Sequence, residues 1–295
     1  MKSFISTSYS TNNLPNLEST EACILLHEKN FRINAFWNYI IRMLSVADDI
    51  SEKINDFKYK TSPLNPEEFV KGRYKWRDEY DFHESTLSEI CFTRSADSFS
   101  IYLDDSLKYI FSIEPRLLRG KDKISYDEVV EKKSIKELHD LLAIKKCHSI
   151  SYLGIKPRIE YLNEAIGLTF TLSEDHLKDI TNIMEVRNIL THNGGYTNNL
   201  FSRKSIGLNY KDNEKITINT SVANQAASCL LEAARIIDES IVNKFTPQVV
   251  YNDNQEFAQK MAIKHSEESG KFSNQIKELL EETMRNAGIE SQTKE

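Results

Sequence analysis

Apolar residues recur at intervals of three and four through most of the chain, the signature of helices that bury one face. After a polar start over residues 1–17, Ile33, Phe36, Ile40, Met43, Ala47, Ile50 and Ile54 form one such seam, suited to packing on other helices of this chain or of a second copy. The segment from Tyr59 to Ser85 holds two prolines and dense charge and reads as an irregular connection or lid. Periodicity resumes at Phe99, Tyr102, Leu103, Leu107, Ile110 and Ile113 and stops near Pro115. Ser125 with Glu128, and Ser134 with Glu137, have the spacing of capping boxes, each opening a short helix. A further helix is predicted from Ile155 to Ile166, closed by Gly167. The next is capped by Thr171 or Ser173 and runs to Gly194-Gly195. Residues 215–219, KITIN, alternate as a short strand does, with SIGLNY (205–210) as its expected hairpin partner across KDNE. A last helix is predicted from about Ser221 to Asn243. The expected fold is mostly α, divided into an N-terminal helical region (1–94), a helical domain (95–245) and a polar tail with one helical segment (246–295).

Composition sharpens this picture at few points. Only 9 Gly and 6 Pro among 295 residues disfavour a turn-rich all-β fold. A net charge of −6 argues against a general nucleic-acid coat, although a local basic patch can still grip phosphate. The four cysteines are far apart, which suits buried thiols in a reducing compartment better than a disulfide framework or a zinc site. No apolar run approaches the ~18 residues of a membrane span, and the N-terminus lacks the apolar core of a secretory signal, so a cytoplasmic protein is expected.

Candidate chemistry concentrates in MEVRNILTHNGGYTNNLF, Met184–Phe201. Helical spacing places Arg187 in a stripe with Ile180, Ile183, Met184, Leu190 and Thr191, on the expected packed face, where a guanidinium is costly unless it meets an anion. Taken alone, Arg187 reads as half of a structural ion pair. His192 alters that reading. It lies in the last turn and shares a face with Asn188, four residues earlier, while pointing away from Arg187. A histidine can take and return a proton near neutral pH, and an arginine can hold a phosphate by two parallel hydrogen bonds. Those are the groups required to cleave RNA through its own 2′-hydroxyl.

RNILTH fits the Arg-x4-His pattern, with a polar residue after the arginine, and HNGGYTNNLF continues it. The stretch resembles the HEPN superfamily (higher eukaryotes and prokaryotes nucleotide-binding), in particular bacterial members in toxin–antitoxin and phage-defence systems. The order of elements from about Phe99 to Phe245 is similar as well. The resemblance implies a helical bundle that dimerises with its motifs face to face. It also implies a metal-independent, cofactor-free endoribonuclease that leaves 2′,3′-cyclic phosphate ends. On this reading His192 is the general base, Arg187 the phosphate clamp and Asn188 an orienting residue, with Thr191 and Asn193 behind them. The expected partners are RNA, a second copy and an antitoxin or defence-system protein. The chain departs from one family feature: antitoxin-modified members carry a tyrosine two residues after the histidine, where this chain has Gly194, and its nearest tyrosine is Tyr196. A catalytically silent module that binds RNA or protein is the alternative, and a purely structural Arg187 a third.

KGRYKWR, from Lys71 to Arg77, interleaves Lys71, Arg73, Lys75 and Arg77 with Tyr74 and Trp76, a pattern that suits single-stranded RNA and equally suits a solvated loop. Asp104-Asp105 has the chemistry of a metal site but no third ligand in view, and the remaining histidines are scattered.

Overall fold

The computed structural model describes residues 4–9, 18–53, 76–119, 124–245 and 250–251, with backbone alone for 44–53, 76–82 and 250–251. The described residues are mostly helical: α1 (Glu21–Lys53), α2 (Trp76–Ile113), a 3-10 turn (Pro115–Leu118), α3 (Tyr126–Val130), α4 (Ile135–Ser151), α5 (Ile155–Glu164), α6 (Glu174–Asn193), α7 (Asn199–Lys204) and α8 (Thr220–Phe245). Two short strands, β1 (Glu18–Ser19) and β2 (Val250–Tyr251), pair antiparallel, Glu18 with Tyr251 and Ser19 with Val250. No described helix is long and apolar enough to cross a membrane.

The chain divides into two compact units, residues 1–33 with 85–252 and residues 34–84 with 253–295. Residues 1–33, expected to go with an N-terminal region, therefore pack with the later helices. The first unit holds the core described here: Phe92, Phe99, Tyr102, Leu103 and Leu107 from α2, Ile180 and Ile183 from α6, and Ala226, Leu230, Ala233 and Ile237 from α8, all buried. In the second unit the α1 seam is less covered than its spacing suggests, with Phe36 half exposed.

Local chemistry accounts for the helix ends. Ser125 forms a complete capping box with Glu128. Ser134 caps with the backbone of Glu137 and opens not a short helix but the 17 residues of α4. Ser173, rather than Thr171, caps α6. The expected irregular segment is corrected from Trp76 onward, where α2 has already begun. Its prolines and Gly72 all precede that point, and no proline or glycine from there to Ile113 breaks a helix. The expected KITIN–SIGLNY hairpin does not form either. Ile206 is bound instead by Asn182, whose side chain accepts from its N–H at 2.8 Å and donates to its carbonyl at 3.1 Å. KITIN turns inward with Ile216 and Ile218 buried, and Lys215 bridges to Tyr196.

Helix α6 organises this unit through polar groups on its buried face. His176 Nε2 lies 2.9 Å from the Cys229 carbonyl of α8. Asp179, fully buried, accepts from Ser6 N–H (2.9 Å), Ser6 Oγ (2.8 Å), Thr7 N–H (3.1 Å) and the Tyr9 hydroxyl (2.9 Å). The chain from Phe4 to Tyr9 is thereby strapped across the helix, with the Phe4 ring edge-on to Phe92 at 5.7 Å. A second buried carboxylate, Asp238 on α8, accepts from Thr20 N–H at 3.0 Å and from the Thr20 hydroxyl, which itself accepts from Cys23 N–H at 3.3 Å to cap α1.

Candidate active site at the end of helix α6

The motif helix stops where two glycines permit it to. Gly194 takes the left-handed conformation (φ 59°), and its N–H and that of Gly195 (3.1 Å) both reach back to the Ile189 carbonyl, closing the helix. Gly195 (φ 82°) then accepts from Ile216 N–H at 2.8 Å, so close that a Cβ would sit 3.3 Å from the Ile216 carbonyl. The end of α6 is thus tied to residues 214–216, with Thr197 N–H donating to the Glu214 carbonyl at 3.0 Å.

The buried stripe of α6 runs through His176, Asp179, Ile180, Ile183, Val186 and Ile189. Arg187 belongs to its flank, not to the packed face the sequence suggests, and its side chain is 27% exposed. Thr191, placed in the expected stripe, is exposed. The rotation follows from the polar members of the core face: the strap and α8 satisfy Asp179 and His176, which draws that side inward.

Arg187 is held from two sides. Its Nε donates to Asp97 Oδ1 on α2 at 2.7 Å, and its Nη2 lies 2.5 Å from the same oxygen. Nη1 donates to Asn188 Oδ1 at 3.1 Å. Asn188 also hydrogen-bonds the half-buried Glu185, whose carboxyl is pushed up by burial while Lys204 on α7 and Asn188 pull it down. His192 stands exposed in the last turn, on the face it shares with Asn188 and, one step earlier, Glu185. Asn193 donates to the Tyr196 carbonyl, and Lys215 Nζ lies 5.9 Å from the half-exposed Tyr196 ring.

Arg187 and Asn188 are therefore in direct contact, with His192 one turn beyond. Asp97 was not legible beforehand, because it lies ninety residues upstream on a helix whose local pattern announces only packing. Glu185 could have been found, since it repeats the Asn188–His192 face at i−3. Of the KGRYKWR residues, Lys71, Arg73 and Lys75 lie outside the described residues, while Trp76 and Arg77 open α2 without described side chains. Asp104 receives Arg158 Nη2 at 2.7 Å and the Ser151 hydroxyl at 2.8 Å, and Asp105 pairs with Lys108 at 2.9 Å, so this doublet is engaged in ion pairs. Arg158 is itself buried, and the cost of burying its charge is offset by Asp104 and by bonds to Ser100 Oγ and O at 2.9 and 3.0 Å. No family model, curated protein or solved structure matches the chain.

Proposed function

We propose that the chain is a metal-independent endoribonuclease of the HEPN type, acting in bacterial phage defence or a toxin–antitoxin system. One observation carries the reading: towards the exposed end of α6, a guanidinium is oriented by Asp97 and Asn188, with a solvent-accessible histidine one turn beyond. His192 takes the proton of a 2′-hydroxyl, the 2′-oxygen attacks the adjacent phosphorus, and the 5′-oxygen leaves with a proton. The products are a 2′,3′-cyclic phosphate and a 5′-hydroxyl. Arg187 neutralises the charge that builds on the phosphoryl oxygens, and Asn188 holds Arg187 in plane. Because Arg187 and His192 point apart on one helix, a two-fold homodimer that sets two motifs around one groove completes the site.

The intrachain Asp97–Arg187 pair also favours a second reading, a silent module in which the arginine is structural and RNA or protein is bound without cleavage. Incubation of the protein with total RNA in EDTA, beside His192→Ala, separates the two. The first reading requires cleavage that persists under chelation, leaves cyclic phosphate ends, spares 2′-O-methylated RNA and disappears in the variant. Products with 3′-hydroxyl ends, or activity abolished by EDTA, would overturn it.

A further inference from the structure

The Asp97–Arg187 pair is a poor investment as a strut. Both side chains are over a quarter exposed, and at such exposure solvent screening and lost rotamer freedom cancel most of the attraction. What the contact does fix is the orientation of the guanidinium. An arginine has five N–H donors in one rigid fork. Among the described residues Nε gives one to Asp97 Oδ1, with Nη2 against the same oxygen in the ion pair, and Nη1 gives one to Asn188 Oδ1. At least one N–H then remains on each terminal nitrogen, and a donor from each can meet two oxygens of a phosphate.

The supports are both set on helices. Asp97 stands between the fully buried Ala96 and the buried Ser98 in the middle of α2, and Asn188 is tied to Glu185 on α6. A long side chain that would otherwise sample many rotamers is thereby held ready before any ligand arrives.

We infer that Asp97 is a positioning residue for Arg187, presenting remaining N–H groups of its terminal nitrogens to a phosphodiester. The identity of the phosphate rests on the ribonuclease reading above; the geometry of the arginine does not. Asp97→Ala should lower kcat by about 10- to 100-fold, the scale of a misplaced reacting group, with a smaller change in KM and a nearly unchanged melting temperature. Asp97→Asn keeps an acceptor oxygen and should retain most of the activity. In an Arg187→Ala background, Asp97→Ala should have no further effect, because it acts only through the arginine. Activity that rises in Asp97→Ala would mark the carboxylate as a competitor, and an undiminished loss in the Arg187→Ala background would place its action elsewhere; either overturns the inference. A readout independent of cleavage is solvent exchange at the Arg187 Nε–H, followed by nitrogen-15 NMR and assigned by its disappearance in Arg187→Lys. Slow exchange in the parent chain and Asp97→Asn, but fast in Asp97→Ala, supports positioning even if no RNA is cut. Equal exchange in all three rejects it, whereas a parent chain that orders its arginine yet leaves RNA intact overturns only the ribonuclease reading.

Discussion

Substitution of Asp179 by alanine tests how the N-terminal strap is held. Its carboxylate is fully buried and takes four donors, all from residues 6–9. Hydrogen bonds to a charged group contribute about 1.5–3 kcal/mol each when both partners stay buried. The full sum cannot be lost, however, because the freed strap can lift and return Ser6, Thr7 and Tyr9 to water. What then limits the cost is the docking of the strap itself, including the Phe4 ring, whose burial against Phe92 contributes about 1.5–3 kcal/mol. An overall loss of about 3–5 kcal/mol follows, the range for breaking a buried charged network. The informative comparison is a chain lacking residues 2–9. There the carboxylate meets water, so the same Asp179→Ala substitution should cost almost nothing. Urea unfolding of the four proteins at pH 7, followed by far-ultraviolet circular dichroism, gives the coupling energy directly. If Asp179→Ala costs the same in both backgrounds to within about 0.5 kcal/mol, the two sites are independent and the reasoning fails.

Asp238 makes a prediction of opposite sign to that of an ordinary surface aspartate. Burial pushes its carboxyl up from 3.8 to about 6, against the pull of the Thr20 hydrogen bonds. The folded chain thus binds this proton more tightly than the unfolded chain, so stability is gained below pH 6 and lost as pH rises through 6, by up to about 3 kcal/mol. Asp238→Asn should flatten that component when denaturation at pH 4.5 and 7.5 is compared with the parent; an unchanged slope refutes it. At the motif, Arg187→Lys should lose most cleavage because an ammonium cannot reproduce the planar fork, while a partly exposed ion pair worth about 0–1 kcal/mol leaves the fold intact. Should Arg187→Ala unfold the protein while Arg187→Lys remains fully active, the arginine is chiefly structural.

Helices were legible where periodicity and caps agreed. Ser125, Ser134 and Ser173 each announce a helix start, and Gly194-Gly195 a stop, because capping is a contest among groups only a few residues apart. The rotation of α6 about its axis was not legible. It depends on Asp179 and His176 being satisfied by residues 6–9 and 229, partners that no local window contains. Counting apolar residues alone put Arg187 on the packed face, whereas the polar residues that find partners set the buried side. The strand pairing failed for a related reason. SIGLNY and KITIN are well matched to each other, but Asn182 engages Ile206 and the core receives Ile216, and both contacts are made by α6 or through it. The motif itself is contiguous, so its residues could be read directly. Its anchor, Asp97, belongs to another helix and could not.

The N-terminal anchors set a timing problem for the chain during its own synthesis. Ser6 waits for Asp179, 173 residues later, and Thr20 for Asp238, 218 residues later. At translation rates of about 5–20 residues per second, the interval is roughly 10–40 s. Through that time Phe4, Cys23 and Leu26, all destined for the core, have no α6 or α8 to cover them. Helix α1 can coil early, since its hydrogen bonds are local, yet the carboxylate that receives its capping threonine arrives only with α8. The beginning of the chain is therefore a late-docking element, and the ribosome-bound nascent chain should remain open to protease near its N-terminus until α8 has emerged.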